Sequence, residues 1–77
     1  MPIESTADEL RLFDVVSVED AEPLLGWLQA RPAARVDLAA CSHLHAASLQ
    51  VLMAAHPVVI AWPTNVELAA WLRPALS

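Results

Sequence analysis

The chain has 77 residues, of which 57% are hydrophobic, and it carries four Arg, no Lys and nine acidic residues, for a net charge of −5. A chain of this length forms one small domain, and its negative charge is unlike the basic surface of a protein that binds nucleic acid. Its single Cys excludes an internal disulfide, which is typical of a reducing compartment.

The acidic residues are concentrated at the start of the chain, where seven of the nine lie in the first 22 positions. We predict a flexible, solvated leader over residues 1–9 and a single domain over 10–77; alternatively, the acidic segment steers a basic partner. The start lacks the apolar core of a signal peptide, and no run of about 20 apolar residues is free of charge or proline. We therefore expect a cytoplasmic protein without a membrane span.

The first predicted elements are a strand and a helix. The segment Leu10–Val16 alternates imperfectly between two sides, which favours a short strand. Ser17 and Asp20, three residues apart, resemble a capping box. The apolar residues of Val18–Leu28 recur at helical spacing and predict a helix with an apolar face. Pro23 lacks a backbone donor, so this helix is expected to start late or to bend there.

The middle of the chain predicts a strand, a bend and a second helix. The strand is Arg35–Leu38, and the helix runs over Ala46–Ala55, where Pro57 follows. Between them, the bend Cys41–Ala47 concentrates polar side chains inside an otherwise apolar segment. We expect the functional site at or beside this connection.

The last predicted elements are a strand and a helix. The uninterrupted apolar run of Pro57–Trp62 is typical of a strand covered on both faces in a parallel sheet. A helix then runs from Val66 to about Leu72 and is ended by Pro74. The order βαβαβα predicts a small α/β fold, in which helices pack on a mostly parallel sheet of three to four strands.

The segment Val36–Leu52 resembles the signature of STAS domains, the family of anti-sigma factor antagonists and sulfate transporters. The family pattern is approximately V-D-L-S-x-[VC]-x-x-[IL]-D-[ST]-[AS]-G-L-x-x-L, and the segment Phe13–Asp20 resembles the approach to the family's first helix. The resemblance extends over Leu10–Leu76 and implies a STAS-like α/β domain that binds a regulatory protein. The matching signature residues are Val36, Asp37, Leu38, Leu44, Leu49 and Leu52.

The departures from the pattern fall on the residues that carry the family's chemistry. His45-Ala46 stands where the family has Asp followed by the phosphorylated Ser or Thr, and Ser48 stands where it has Gly. Because the methyl group of Ala46 cannot accept a phosphoryl group, the usual charge switch is absent there. Ser42 and Ser48 carry nearby hydroxyls that could be phosphorylated instead. A strand before Leu10, which the family has, is expected to be missing or reduced to the leader.

Cys41, His43 and His45 carry the ligand and nucleophile chemistry of this segment. Their spacing matches no standard zinc pattern, and no Asp or Asn follows nearby to orient a Cys–His pair for catalysis. We therefore predict no enzyme, no cofactor and no metal site. Cys41 is expected to be a small buried residue, and His45 is expected near the start of the helix, on a partner-facing surface.

The resemblance implies a non-catalytic protein-interaction module of a bacterial signalling pathway, without the phosphorylation switch. Its partner would be an anti-sigma-type kinase or another signalling component. Two alternatives stay open: a small cytoplasmic STAS subunit of a lipid-transporting ABC complex, and a self-associating domain that forms a homodimer. The predicted docking surface consists of Ser42, His43, His45, Ala46, Ala47, Ser48 and Gln50.

Overall fold

The structure is a computed structural model and describes residues 2–76. It confirms the α/β class: three helices pack on a small, mostly parallel sheet. A short 3-10 turn, Val18–Asp20, precedes the first helix. The strands and helices are β1 (Ile3–Ser5), β2 (Glu9–Leu12), β3 (Asp14–Val16), α1 (Ala21–Gln29), β4 (Arg35–Asp37), β5 (Cys41–Leu44), α2 (Ala46–Ala55), β6 (Val58–Ala61) and α3 (Val66–Leu76).

The strands form two ladders. The larger sheet has the order β1-β2-β4-β6, in which β1 is antiparallel to β2 and the other pairs are parallel. The extended chain is interrupted after β2 and again after β4, and the strands that follow these interruptions, β3 and β5, pair in parallel as a second ladder. The parallel strands therefore end at one side of the fold, where the chain turns into the 3-10 turn and α2.

Strand β1 lies inside the predicted flexible leader, so that prediction is wrong at Ile3–Ser5. Ile3 pairs with Leu12 and Glu4 with Arg11, and a 2.6 Å ion pair joins the Glu4 carboxylate to the Arg11 guanidinium. The strand expected before Leu10, either missing or reduced to the leader, is present as three residues within the leader. A three-residue strand with one large apolar side chain gives too weak a pattern to separate from a solvated segment.

The predicted strand Leu10–Val16 is divided at Phe13. Asp14 has a φ of 55°, in the left-handed region that Asp tolerates better than most residues. Its backbone N–H donates to the carbonyl oxygen of Ala40 at 2.9 Å. The turn of the backbone directs the chain from the ladder with β4 to the ladder with β5.

The bend in the middle of the chain comes earlier than predicted. The Asp37 carboxylate accepts a hydrogen bond from the backbone N–H of Ala39 at 2.9 Å, which forms a local turn directly after β4. The chain then resumes an extended conformation as β5, so Cys41–Leu44 is a strand and the predicted bend over Cys41–Ala47 is wrong there. The prediction of α2 at Ala46–Ala55 is confirmed.

The start of α1 explains how the fold accommodates Pro23. The Asp20 carboxylate accepts hydrogen bonds from the backbone N–H of Ser17 at 2.8 Å and from its hydroxyl at 3.1 Å. This contact supports the 3-10 turn, and α1 follows at Ala21. Pro23 then falls in the first helical turn, where a backbone N–H has no partner within the helix. The missing donor therefore costs no helical hydrogen bond.

One face of the four-stranded sheet is buried and the other is open. On β2, Leu10 and Leu12 are fully buried, whereas Glu9 is only half-buried and Arg11 is exposed. On β6, Val58 and Ile60 are 61% and 45% exposed. The prediction that this strand is covered on both faces is therefore wrong. Because α2 contacts both α1 and α3, the helices form one layer that covers one face of the sheet.

The C-terminal helix extends beyond its predicted end. It runs over Val66–Leu76 and includes Pro74. Leu72 and Leu76, four residues apart and therefore on one helical face, are both buried in the core. Because the helix continues past Pro74, Leu76 is also buried in the core, which stabilises the fold.

Candidate functional site

The candidate site lies where β3 and β5 leave their ladder. β3 is followed by Ser17 and the 3-10 turn, and β5 is followed by His45 and α2. The backbone N–H of His45 donates to the carbonyl oxygen of Val16 at 2.9 Å, so the two exits remain side by side. This contact brings the start of α2 next to the 3-10 turn.

His45 is the N-cap of α2, as predicted. Its backbone is extended, with φ −63° and ψ 146°, and its ring Nδ1 accepts a hydrogen bond from the backbone N–H of Ala47 at 3.0 Å. The contact satisfies one of the backbone donors that a helix leaves unpaired at its first turn. The side chain remains exposed. His45 therefore both stabilises the helix start and contributes to the surface.

Ser48 is the member of the predicted docking surface that does not lie on the surface. It is fully buried, and its hydroxyl donates to the carbonyl oxygen of Ser17 at 3.0 Å. The prediction of Ser48 as a partner contact is wrong because its side chain faces the 3-10 turn. For the same reason its hydroxyl is inaccessible for phosphorylation in the folded chain.

The other predicted residues lie on the surface. Ser42, His43, Ala46 and Gln50 are exposed like His45, and Ala47 is half-buried. Ser42 and His43 come from β5, and the remainder surround the start of α2. The structure therefore brings the strand and helix contributions together at one end of the fold.

Cys41 points into the core, away from His43. The thiol is 2% exposed and donates to the carbonyl oxygen of His43 at 3.4 Å. The ladder is irregular here, because Asp14 pairs with Cys41 and Val15 with His43, which leaves Ser42 unpaired. This bulge interrupts the alternation that would place Cys41 and His43 on one face. Burial raises the pKa of the Cys41 thiol above its ordinary value.

The separation of these side chains bears on metal binding. Within the described residues 2–76, no group of three or more His, Cys, Asp and Glu side chains is arranged to hold a metal ion. The Cys41 thiol, buried and with its pKa raised, also lacks the thiolate character of a reactive cysteine. The arrangement offers hydrogen-bonding and apolar contacts to a partner.

Two apolar residues of the site escaped the sequence prediction. Val15 and Val18 are each more than half exposed; Val15 pairs with His43, and Val18 follows Ser17, to which Ser48 bonds. Helical spacing assigned Val18 to the buried face of the first helix, but the residue belongs to the 3-10 turn, which has a different periodicity. Within the adjacent pair Val15 and Val16, nothing local in the sequence marks Val15 as the exposed member.

We define the docking surface by its accessible residues, none of which bears a formal carboxylate or guanidinium charge. Exposed Asp14 and Glu19 lie next to Val15 and Val18 in the chain. The residues of the surface are therefore uncharged, and each of its two valines has an acidic neighbour in the chain, Glu19 in the 3-10 turn and Asp14 at the start of β3. Its members are Val15, Val18, Ser42, His43, His45, Ala46, Ala47 and Gln50.

An apolar cavity of about 330 Å³ lies at the opposite end of the fold, between the ends of α1 and α2. Its only charged lining residue is Arg31, whose Nε donates to the carbonyl oxygen of Ala7 at 2.9 Å and whose Nη1 donates to that of Trp27 at 3.2 Å. A ligand site usually presents several convergent polar groups. Here the charged group is already used to connect α1 with the β1–β2 hairpin.

Comparison with known proteins identifies no family: no protein-family model matches the chain, and no curated protein is significantly similar to it in sequence. The resemblance of Val36–Leu52 to STAS domains therefore depends on the motif residues alone.

Within residues 2–76, no helix combines the length and the apolar character needed to cross a membrane.

Proposed function

We propose that the protein is a non-catalytic protein-interaction module that resembles an anti-sigma factor antagonist of bacterial signalling. The observation that carries this proposal is the position of exposed Val15 and Val18 beside the uncharged start of α2. Apolar and small uncharged groups are transferred from water into an interface at low cost. A partner that covers the docking surface therefore removes these groups from water, which favours binding.

The proposal includes binding without a phosphorylation switch. Ala46 is the first residue of α2 and is exposed, and it stands where the STAS pattern has the phosphorylated residue. Because a methyl group cannot accept a phosphoryl group, the charge at this position does not switch. Ser48, the nearest hydroxyl on the helix, is buried and offers no substitute.

The charge around the docking surface indicates the chemistry of the partner. Asp14 and Glu19, both exposed, are the chain neighbours of the two valines. Complementary charge at the rim of an interface speeds association and fixes orientation. A partner with an apolar centre and a basic margin therefore fits best, and an anti-sigma-type kinase or another signalling protein is the class that the resemblance implies.

Two substitutions of Ala46 test the proposal by separating binding from folding. Both Ala46→Arg and Ala46→Asp place a charge in the proposed interface, so both are expected to weaken partner binding about tenfold or more. Their effects on stability should differ in sign. At a helix N-terminus, Asp stabilises and Arg destabilises by about 0.3–1 kcal/mol.

The binding measurement is affinity purification from the native cell, followed by titration of the identified partner with purified protein. Ala33→Arg is the matched control, because Ala33 is exposed in the connection before β4, at the other end of the parallel strands. Loss of the same partner from both Ala46 variants, with retention by Ala33→Arg, supports the proposal. Undiminished binding by the Ala46 variants overturns it.

A further inference from the structure

The imidazole of His45 is held in one orientation within the docking surface, because its Nδ1 accepts the backbone N–H of Ala47 at 3.0 Å. The surface has three other polar side chains, those of Ser42, His43 and Gln50. Within the described residues 2–76, none of these three makes a side-chain hydrogen bond. His45 is therefore the polar side chain of the docking surface whose position the fold determines.

The same hydrogen bond determines which nitrogen of the His45 ring carries the proton. A ring nitrogen that accepts an N–H has no hydrogen of its own, so the neutral imidazole carries its hydrogen on Nε2. The tautomer is assigned from this partner, as ring hydrogens are in general. The side chain is exposed, and no group of residues 2–76 accepts a hydrogen bond from Nε2. The docking surface thus presents one oriented, unused N–H donor.

We propose that the Nε2–H of His45 determines partner specificity by donating to an oxygen acceptor of the protein that covers the docking surface. This inference rests on the proposed function. Ala46 follows His45 in the chain, and the 3-10 turn that carries Val18 packs against α2, so a bound partner removes the N–H from water along with these apolar groups. A partner with no acceptor at this point leaves a buried donor unpaired, which is costly. The N–H therefore selects against such partners.

The capping hydrogen bond also makes this donor inexpensive to use. A side chain that is already ordered loses little conformational freedom when a partner binds, whereas a mobile side chain must first be immobilised. The ring of His45 is fixed by the Ala47 N–H, but the Ser42 hydroxyl and the Gln50 amide have no such restraint within residues 2–76. His45 is therefore the polar group of the surface best suited to recognise a partner.

Two substitutions of His45 separate its donor from its capping acceptor. His45→Asn keeps an acceptor near the position of Nδ1 but has no donor at the position of Nε2. It is expected to weaken partner binding about tenfold while stability is retained. His45→Gln extends an amide N–H toward the position of Nε2 but loses the capping acceptor. It should lower stability and keep the affinity within about threefold.

The partner for this measurement is the protein captured by the original chain in affinity purification, titrated with each purified variant. His56→Asn is the matched control, since His56 is exposed at the opposite end of α2 and should leave binding unchanged. A residue that acts through the helix cap alone gives the reverse order: His45→Asn then binds like the original chain and His45→Gln binds more weakly. That order overturns the proposal.

Nitrogen NMR of the imidazole rings tests the tautomer in the purified chain without a partner. At pH 8, where imidazoles are ordinarily neutral, His45 should show the Nε2–H form alone. His43, whose ring makes no hydrogen bond within residues 2–76, should show an average of both tautomers. A hydrogen on Nδ1 of His45 overturns the proposal.

The Ala46 variants distinguish failure of this proposal from failure of the docking surface. If Ala46→Arg and Ala46→Asp both lose the partner while His45→Asn binds like the original chain, the docking surface is correct and the role of the His45 donor is wrong. If the Ala46 variants retain the partner, both proposals are wrong. Loss of binding by the Ala46 variants and by His45→Asn, with retention by His56→Asn, supports both.

Discussion

The Ser48 hydroxyl and the Ser17 carbonyl oxygen are 3.0 Å apart, although the two residues are separated by 31 positions in the chain. This hydrogen bond joins the first turn of α2 to the residue before the 3-10 turn. The two segments supply both halves of the docking surface, Val18 on one side and Ala46 on the other. Together with the hydrogen bond from the His45 N–H to the Val16 carbonyl oxygen, this buried side chain fixes the spacing between apolar contacts that come from distant parts of the sequence.

Ser48→Ala is expected to lower the free energy of unfolding by about 1 kcal/mol, the net value of one neutral hydrogen bond. The loss is moderate because the Ser17 carbonyl oxygen still accepts the N–H of Asp20 at 3.1 Å. Urea unfolding measures the change. Ser42→Ala is the control, since Ser42 is exposed and should alter stability by less than about 0.5 kcal/mol. Equal stability of the two variants would contradict the role assigned to Ser48.

Substitution of His45 should separate helix capping from imidazole chemistry. His45→Ala removes the acceptor of the Ala47 N–H and is expected to destabilise the protein by about 1 kcal/mol. His45→Asn retains a side-chain acceptor at the N-cap and should keep the stability of the original chain. Thermal unfolding is a suitable measurement, because 1 kcal/mol corresponds to roughly 4–8 °C in a domain of this size. If the Asn variant is as unstable as the Ala variant, capping is not what His45 contributes.

Helix α2 and the α/β class could be predicted because they depend on local patterns. Apolar spacing and the proline at position 57 limit α2, and the alternation of helical and extended segments gives the α/β class. The N-cap role of His45 also follows from its position directly before the helix. These features need no knowledge of distant contacts.

The remaining features depend on contacts that a local pattern does not contain. The bend after β4 is closed by hydrogen bonds from the Ala39 N–H to the Asp37 carboxylate and from the Cys41 N–H to the Leu38 carbonyl oxygen, and without them the same residues read equally well as a longer strand. Ser48 is buried because of a carbonyl group 31 positions earlier. The exposure of Val58 depends on all three helices packing on the other face, which strand hydrophobicity alone cannot reveal.

Alkaline pH should destabilise the fold through Cys41. Burial raises the pKa of its thiol, so the folded chain holds this proton more tightly than the unfolded chain does. The free energy of unfolding is therefore unaffected by Cys41 at lower pH, and it falls once the pH passes 9.0, the ordinary pKa of the thiol. The decline continues until the folded thiol also ionises. Urea titrations at pH 8, 9 and 10 should show it.

The composition makes this alkaline effect specific. The chain contains no Tyr and no Lys. Between neutral pH and the pKa of Arg, the groups that ordinarily titrate are therefore the Cys41 thiol and the terminal amino group. Cys41→Ala should lower stability at neutral pH, because it opens space in the core, but its stability should be independent of pH between 9 and 10. A decline of equal slope in this variant would show that Cys41 is not the titrating group.

His56, at the end of α2, holds a strained backbone that Gly should relieve. Its φ is 52°, and its N–H donates to the carbonyl oxygen of Leu52 at 2.8 Å, so it closes the helix in the left-handed conformation that Gly adopts most readily. Because the side chain is exposed, His56→Gly should raise the free energy of unfolding by about 0.5–1 kcal/mol. Part of the relieved strain is offset by the greater entropy of an unfolded chain with Gly.

His56→Ala distinguishes backbone relief from loss of the imidazole. It removes the same ring but keeps the Cβ atom that disfavours a positive φ, so it should give no gain in stability. Urea unfolding of the two variants measures the difference, and equal m-values would show that stability changes without a change in the surface exposed on unfolding. Equal stabilisation by Gly and Ala would mean that the imidazole, and not the backbone angle, is unfavourable at this position.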